Sequence, residues 1–371
     1  MIIGIDARVL ERKISGIGRY LFNILAELPN YDKKNSYILI SKSELKIRDS
    51  FYRKLSTGNN LLPPKIYSPI WLNFVLPKYL KREKIDVFFT PNHLVPLRKL
   101  NGTKTIIVVH DVFHKINKNF HPKSYALYIN FFLFNSLKKS DLIITVSHNS
   151  KRDIQRIYNI PEKKIRVIYE YVDESFRPMQ ISDYLKNSII NEYKLPSKKF
   201  MLYVGSIENR KNVLGILKIG DILYKKKIDL DILLVGKRGF KFRKIYKQIK
   251  KRNDYVKYLS YVDDETLKKI YNMATLFIFP SYYEGFGLTP LEAMQSGVPV
   301  LASNTSSLKE VVGEGGILHE PDNHEAFASD IERLLNDSEF YKEMKKKALL
   351  QARNFDKEKS LGELLKIFES Y

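Results

Sequence analysis

"FPSYYEGFGLTPLEAMQSGVPV", residues 279–300, decides how this chain reads. An apolar run ending in "FIFP" gives way to a loop holding Gly285 and Gly287. "TPLEAMQSG" then offers a Thr-Pro helix start and a glycine stop, and "VPVLAS" follows as a further apolar strand. Strand, glycine loop, helix and strand make a βαβ unit, the building block of a parallel sheet covered by helices. Within it, Thr289 is the expected N-cap, Pro290 the first helical residue, and Glu292, three after the cap, the partner in a capping box. That local role accounts for Glu292. It leaves Glu284 without a structural reason, beside two glycines that keep side chains away from a helix amino terminus, where free amides attract anions.

The same alternation runs along the whole chain. "IIGID", "YILI", "DVFF", "TIIVVH" and "LIITVS" read as buried strands in the first half, and "FMLYVG", "DILLVG", "TLFIFP" and "VPVLAS" in the second, with amphipathic stretches between them. The pattern resets near "IRVIYEYVDESFRP" (165–178), where a strand runs out into an irregular, proline-ended segment. The expected architecture is α/β: two Rossmann-like, doubly wound domains, 1–172 and 173–354, facing across a cleft. The tail "FDKEKSLGELLKIFESY" (355–371) has helical periodicity and is long enough to cross back onto the first domain.

A chain of 371 residues exceeds what one growing core supports, and 44% hydrophobic with 28% charged residues describes an ordinary folded protein. The absence of cysteine excludes disulfides, thiolate metal sites and a cysteine nucleophile, and accords with a cytoplasmic location. The start "MIIGIDARVL" lacks the pattern of an export signal. "YALYINFFLFNSL" (125–137), interrupted by Asn130, is too short to span a bilayer and reads as a packed helix. The net charge is +22, and the first 175 residues hold 30 Lys/Arg against 15 Asp/Glu. Such a bias fits an anionic partner, whether nucleic acid, membrane surface or phosphorylated substrate, and equally a solvated, lysine-rich surface.

Further candidates sit at strand ends. Ser15, Gly16 and Gly18 precede a helix and would let its amides meet a phosphate, though Gly-x-Gly also serves as a plain tight turn. His110-Asp111 ends a five-residue apolar strand, as a hydrogen-bonding or basic group or as a strand cap. In the second half, Gly205-Ser206 leads to Arg210 and Lys211, a planar fork beside a point charge that fits a diphosphate. Lys237, in "VGKRG", adds another cation on the same sheet edge. Asp263-Asp264 precedes a helix and reads as capping rather than as a metal-binding acidic pair.

Taken with "GIGRY" (16–20), "VVHDVF" (108–113), "VSHNSKRDI" (146–154), "IPEKKIRVIY" (160–169), "YVGSIENRKN" (203–212) and "LLVGKRG" (233–239), the opening stretch resembles a known family. These are the retaining, nucleotide-sugar-dependent glycosyltransferases of the two-lobed B-type fold (GT-B), a group that includes bacterial mannosyltransferases and sucrose synthases. The likeness covers nearly the whole chain, and the Glu-x7-Glu segment is its most specific part. The resemblance implies that Glu292 binds the ribose of the donor and that Glu284 lies beside the transferred sugar. It gives the diphosphate to backbone amides from Gly287 through Leu288 to Thr289, on the Gly285-Phe286-Gly287 loop, aided by Arg210 and Lys211. Gly16 and Gly18 would approach the donor phosphates, Gly205, Ser206 and Lys237 would line the donor site, and His110 would contact the donor sugar. Tyr261-Val262 would border the base through the backbone.

Two departures stand out. Ser206 replaces a common arginine, and Glu170-Tyr171 replaces a common Asn-Gly before Val-Asp. The implied reaction needs no cofactor beyond the nucleoside-diphosphate sugar and no metal. The best-matching substrates are GDP-mannose and a lipid-linked glycan or saccharide acceptor of bacterial surface polysaccharide, such as lipopolysaccharide O-antigen. The implied location is the cytoplasm, with the basic first domain resting peripherally on the anionic inner face of the membrane. Competing readings are a UDP- or dTDP-sugar donor, a nucleotide-sugar epimerase on the same fold, and a nucleic-acid-binding protein, the last lacking any recognition motif. From sequence, Glu284→Ala should lower turnover greatly at little cost in stability. Glu292→Ala should lose donor affinity and cap energy on the order of 0.5–2 kcal/mol.

Overall fold

A computed structural model describes residues 1–11, 16–47, 49–58, 64–117 and 123–371. They form two compact units, 1–170 joined by 356–371, and 171–355.

The first unit is built on a parallel sheet. Its strands are β1 (Ile2–Asp6), β2 (Ser36–Ser41), β3 (Tyr52–Ser56), β4 (Val87–Thr90), β5 (Lys104–Val109), β6 (Leu142–Thr145) and β7 (Ile165–Val167). They are arranged β3-β2-β1-β4-β5-β6-β7. The second unit has β8 (Phe200–Val204), β9 (Asp231–Val235), β10 (Val256–Leu259), β11 (Leu276–Phe279), β12 (Val300–Ser303) and β13 (Ile317–His319) in the order β10-β9-β8-β11-β12-β13. The central strands are apolar runs buried on both faces, as Ile106 to Val109 and Phe277 to Phe279 show. The sequence leaves β3, β10 and β13 unread. All three are edge strands, and "YRKLS" of β3 exposes Arg53 and Lys54, so no apolar run marks it.

In each sheet the chain steps outward from one central strand and later returns to its other side, between β1 and β4 and between β8 and β11. Loops leaving the carboxyl ends of those two strands diverge, and a crevice opens there.

The helix after β1 is Gly16–Tyr31, packed through Tyr20, Leu21, Ile24, Leu25 and Leu28. Gly16 and Gly18 therefore stand in its first turn and do not precede it, because the helical hydrogen bonds begin earlier than the apolar face suggests. Ser15 lies outside the described residues. The helix Lys123–Lys139 buries Leu133 and Leu137 but leaves Phe131 59% exposed, so it is a surface helix and not the enclosed one its greasiness suggests. No described helix is long and apolar enough to cross a membrane.

The carboxyl-terminal helix Lys357–Glu369 starts on the Asp356 side chain, which accepts from the Lys359 amide. It buries Leu361, Leu364 and Phe368, the last against Phe89 and Tyr37 of the first sheet.

Candidate active site

The crevice of the second sheet is made by two loops that hold each other. The loop after β8 runs through a short 3-10 turn, Asn209–Lys211, into the helix Val213–Lys225, whose N-cap Asn212 accepts from the Gly215 amide. The loop after β11 carries Ser281 to Gly287 and enters the helix Leu288–Gln295. Between them the Tyr282 amide donates to the Arg210 carbonyl at 2.9 Å, and the Arg210 guanidinium donates to the Tyr283 carbonyl at 2.8 Å.

Glu284 is the centre of this junction. Lys211 Nζ lies 2.6 Å from both of its oxygens, Arg210 Nη1 lies 3.3 Å from Oε2, and Ser281 Oγ donates to Oε1 at 2.5 Å. Its main chain is fixed as well: the amide donates to Ser306 Oγ, and the carbonyl accepts from Ser307 Oγ. Arg210 also pairs with Glu208 at 3.1 Å, and Lys211 Nζ sits 4.9 Å from the centre of the Phe279 ring. Burial works against the Glu284 charge most strongly. Lys211 and Arg210, with the hydrogen bonds from Lys211 and Ser281, overcome it and hold the carboxyl below the usual glutamate range. Burial also lowers the Lys211 ammonium, a fall that Glu284 limits, and two 2.6 Å contacts identify the pair as ionic.

The expectation that Glu284 has no structural role is thus corrected. Its side chain satisfies two partly buried cations brought from the loop after β8, 74 and 73 residues away, a contact no local spacing could show.

The capping box is corrected too. The helix begins at Leu288, and its N-cap is Gly287, at φ 128°, with no side-chain cap bond. Thr289 and Pro290 lie inside the first turn, and Glu292 stands two residues beyond the position from which a side chain reaches back to the cap. It instead accepts from the buried Tyr271 hydroxyl at 2.7 Å. Gly287 is needed where it stands: at φ 128° a side chain would be strained, and an added Cβ would lie 3.1 Å from Leu308. Leu288 and Thr289 are partly buried beside it, Gly285 is buried, and Phe286 packs on Phe355 at 5.5 Å.

The other predicted residues of this unit fall on the same carboxyl edge. Gly205 follows β8, and the Ser206 carbonyl accepts from the Tyr203 hydroxyl at 2.9 Å. Lys237 follows β9 with an exposed side chain, while its carbonyl accepts from the Ile207 amide. Gly236 lets these two loops meet, since a Cβ there would lie 1.8 Å from the Gly205 carbonyl oxygen. Val262 is buried and Tyr261 is 68% exposed. Asp263 caps the helix Asp264–Met273, accepting from the Thr266 amide as expected.

On the first sheet, His110 directly follows β5 and is buried. Its Nδ1 lies 2.8 Å from Oε1 of buried Glu170, and the Tyr20 ring meets it edge-on at 4.9 Å. The His110 carbonyl accepts from Ser150 Oγ at 2.9 Å, which gives "VSHNS" a concrete task, with Ser147 capping that helix. Asp111 caps the next turn through the Phe113 amide. Gly18 is buried in the helix of Tyr20, and Gly16 is exposed with open space around it. Asp6, at the end of β1, is fully buried in a fork with Arg8 and accepts from Thr90 and Asn92.

A family model described as glycosyl transferases group 1 matches residues 186–351, and one described as glycosyltransferase family 4 matches residues 14–176. Over 279 residues the chain is 32% identical to O-antigen chain mannosyltransferase B of Escherichia coli, covering 74% of this chain and 72% of that one. The chain belongs to the nucleotide-sugar glycosyltransferases of the GT-B fold.

This glycosyltransferase is also 26% identical over 307 residues, 80% of each chain, to a Campylobacter jejuni enzyme. That relative is N-acetylgalactosamine-N,N'-diacetylbacillosaminyl-diphospho-undecaprenol 4-alpha-N-acetylgalactosaminyltransferase. Sucrose-phosphate synthase from Thermosynechococcus elongatus shares the fold, with a TM-score of 0.80 at 19% identity over 100% of this chain and 98% of that one.

Sequence reasoning on the glycosyltransferase missed Glu208, Ser281, Ser306 and Ser307, which support Glu284 and Arg210, and His93, which lies beside His110. It noted Glu170 as a departure, and that departure is the contact to His110. The other residues give no signal in one sequence, since serines and acids in loops are common and their partners are distant.

Proposed function

We propose that this glycosyltransferase moves mannose from GDP-mannose, with retention, to a hydroxyl of a growing, lipid-linked bacterial surface polysaccharide. The observation that carries the donor and the polymer is the match to the O-antigen chain mannosyltransferase. A lipid-linked acceptor is supported by the diphospho-undecaprenol in the name of the Campylobacter relative.

In this reading the bond from the anomeric carbon to the diphosphate oxygen breaks, and a bond to the acceptor oxygen forms on the same face as the acceptor loses its proton. Charge builds on the leaving diphosphate, and fixed donors aimed at it lower the barrier. The amides from Gly287 through Thr289 at the helix start supply part of that field. Arg210 and Lys211 supply the rest. Because Glu284 already neutralises them, the incoming diphosphate shares or redirects these cations rather than meeting free ones. Glu284 lies beside the transferred sugar, Glu292 reaches the ribose, His110 contacts the sugar, and the Tyr261-Val262 backbone borders the base. Gly205, Ser206 and Lys237 line the same edge, and Gly16 and Gly18 let the first unit's helix approach the phosphates. No metal takes part, and the basic first unit rests on anionic lipid.

The test is release of GDP from GDP-mannose with an undecaprenyl-diphosphate-linked glycan, with and without EDTA, beside UDP- and dTDP-sugar controls. Turnover with GDP-mannose, unchanged by EDTA, is expected. Turnover restricted to another nucleotide would overturn the donor, and conversion of the donor without acceptor would favour an epimerase. Co-sedimentation with vesicles containing anionic lipid, lost in neutral vesicles, is the matching expectation for membrane contact.

A further inference from the structure

Two ring nitrogens on the first sheet's edge are buried without a hydrogen-bond partner: Nε2 of His110 and Nδ1 of His93. Leaving a buried polar atom unpaired is costly, and folded proteins do so rarely, so a pair of such atoms side by side asks for a ligand group. The rings meet edge to face, 5.4 Å between centres, from the ends of the adjacent strands β4 and β5. His93 also holds a left-handed backbone conformation, φ 60°, uncommon for a residue with a side chain.

The third member is Glu170. Its Oε1 lies 2.8 Å from His110 Nδ1, and both residues are buried. A carboxylate at that distance is placed to accept a proton from Nδ1, and with the ring's one proton there Nε2 presents a lone pair.

We propose that Glu170, His110 and His93 form one hydroxyl-recognition device, with Glu170 as a positioning residue that keeps the proton on His110 Nδ1. His110 Nε2 then accepts a hydrogen bond from a sugar hydroxyl, and His93 Nδ1 makes a second bond to the same or a neighbouring hydroxyl. This rests on the nucleotide-sugar reading and deepens it: the edge takes the neutral, hydroxyl-bearing part of the substrate and not its phosphates. The ionised diphosphate of a nucleotide sugar, esterified at both ends, has no proton to give to a bare Nε2, whereas a hydroxyl both gives and accepts. Neutrality is supported at His93, where burial, with His110 beside it, pulls the imidazolium down to about 3 against the opposing pull of Asp111. His114, the other histidine close by, is occupied by the Tyr158 hydroxyl at 3.1 Å.

The experiment is ring nitrogen-15 NMR of the full chain with labelled histidine, first without ligand. His110 should carry its proton on Nδ1 in the wild type and in Glu170→Gln, whose amide oxygen still accepts, and should mix tautomers in Glu170→Ala. A wild-type ring protonated on Nε2, or on both nitrogens, would overturn the role of Glu170. Free mannose and dimethyl phosphate, a phosphodiester without a P–OH proton at neutral pH, are then titrated separately. Mannose should move the His110 Nε2 and His93 Nδ1 resonances and dimethyl phosphate should not, and movement by dimethyl phosphate instead would overturn the hydroxyl assignment.

In turnover, His93→Ala should raise the KM for GDP-mannose roughly tenfold, the factor expected of about one lost hydrogen bond, with a smaller change in kcat and in GDP binding. Glu170→Gln should restore most of what Glu170→Ala loses. An unchanged KM in His93→Ala would remove His93 from the device. Absence of any turnover with GDP-mannose in the wild type would sink the donor proposal, while the ligand-free and free-sugar spectra would still decide this one.

Discussion

The two sheets present the same kind of edge and finish it differently. At the carboxyl end of the second sheet, the charges gathered around Glu284 answer one another: Glu284 meets Lys211, Arg210 and Ser281, and Arg210 meets Glu208 as well. At the first, Glu170 engages Nδ1 of His110 and leaves Nε2 unpaired, with Nδ1 of His93 unpaired beside it. Charges cannot be stored unpaired in a protein, because desolvating an ion costs several kcal/mol or more, whereas a neutral imidazole nitrogen can wait for its ligand at about 1–3 kcal/mol. A site that must bind an anion therefore carries its own counter-ion when empty, and a site for hydroxyls need not.

The comparison breaks first at Glu284. Glu284→Ala strands two cations whose side chains are 19% and 13% exposed and should destabilise the protein by up to about 3–5 kcal/mol in urea denaturation, the range for breaking a buried pair from one side. This reverses the sequence expectation of a stability-neutral change. A loss under about 1 kcal/mol would mean that the cations relax to solvent and that the cluster is not the closed unit described.

Acid should sharpen the same point. The folded-state pKa of Glu284 lies below its unfolded value, so its contribution is complete above the ordinary glutamate value and disappears as pH falls through the lowered one. Below about pH 4.3, the ordinary value, the wild type should lose stability more steeply than Glu284→Gln. Parallel curves would show that this carboxylate gains nothing from its cations.

A smaller effect is expected one turn on. Glu292→Ala takes a partner from the buried Tyr271 hydroxyl and should cost about 1–3 kcal/mol, with Tyr271→Phe near the lower end. Equal changes in helix start and no coupling between the two substitutions in a double-mutant cycle would return the residue to a capping role. Smallest of all, Ser150→Ala on the first edge removes one hydrogen bond to the His110 carbonyl, about 0.5–1.5 kcal/mol. Its loss should disturb the His110 ring signal more than the melting temperature.

Much of the fold was legible. Apolar runs of four to six residues marked the central strands, and the amphipathic tail marked its helix, since burial on two faces or on one leaves a period in the sequence. Edge strands such as "YRKLS" were not legible, because one side of an edge faces solvent and its composition follows the solvent. Among the candidate residues, Arg210, Lys211, His110, Glu284 and Glu292 were picked out by residue type and by position after strands. Their partners were not, and without partners Glu284 and Glu292 received each other's parts: the one thought structurally free is the most tied, and the supposed cap is bound elsewhere.

By itself the sequence determined the strand-helix alternation, the two-sheet plan and the short set of charged and aromatic side chains at strand ends, because these follow from local periodicity and from what each residue type can do. Only the tertiary structure decided that Lys211 meets Glu284, that Tyr271 meets Glu292 and that Glu170 meets His110. The two members of each pair stand 21 to 73 residues apart in the chain, and parallel strand order, which one chain's local pattern does not encode, is what brings them within hydrogen-bonding distance.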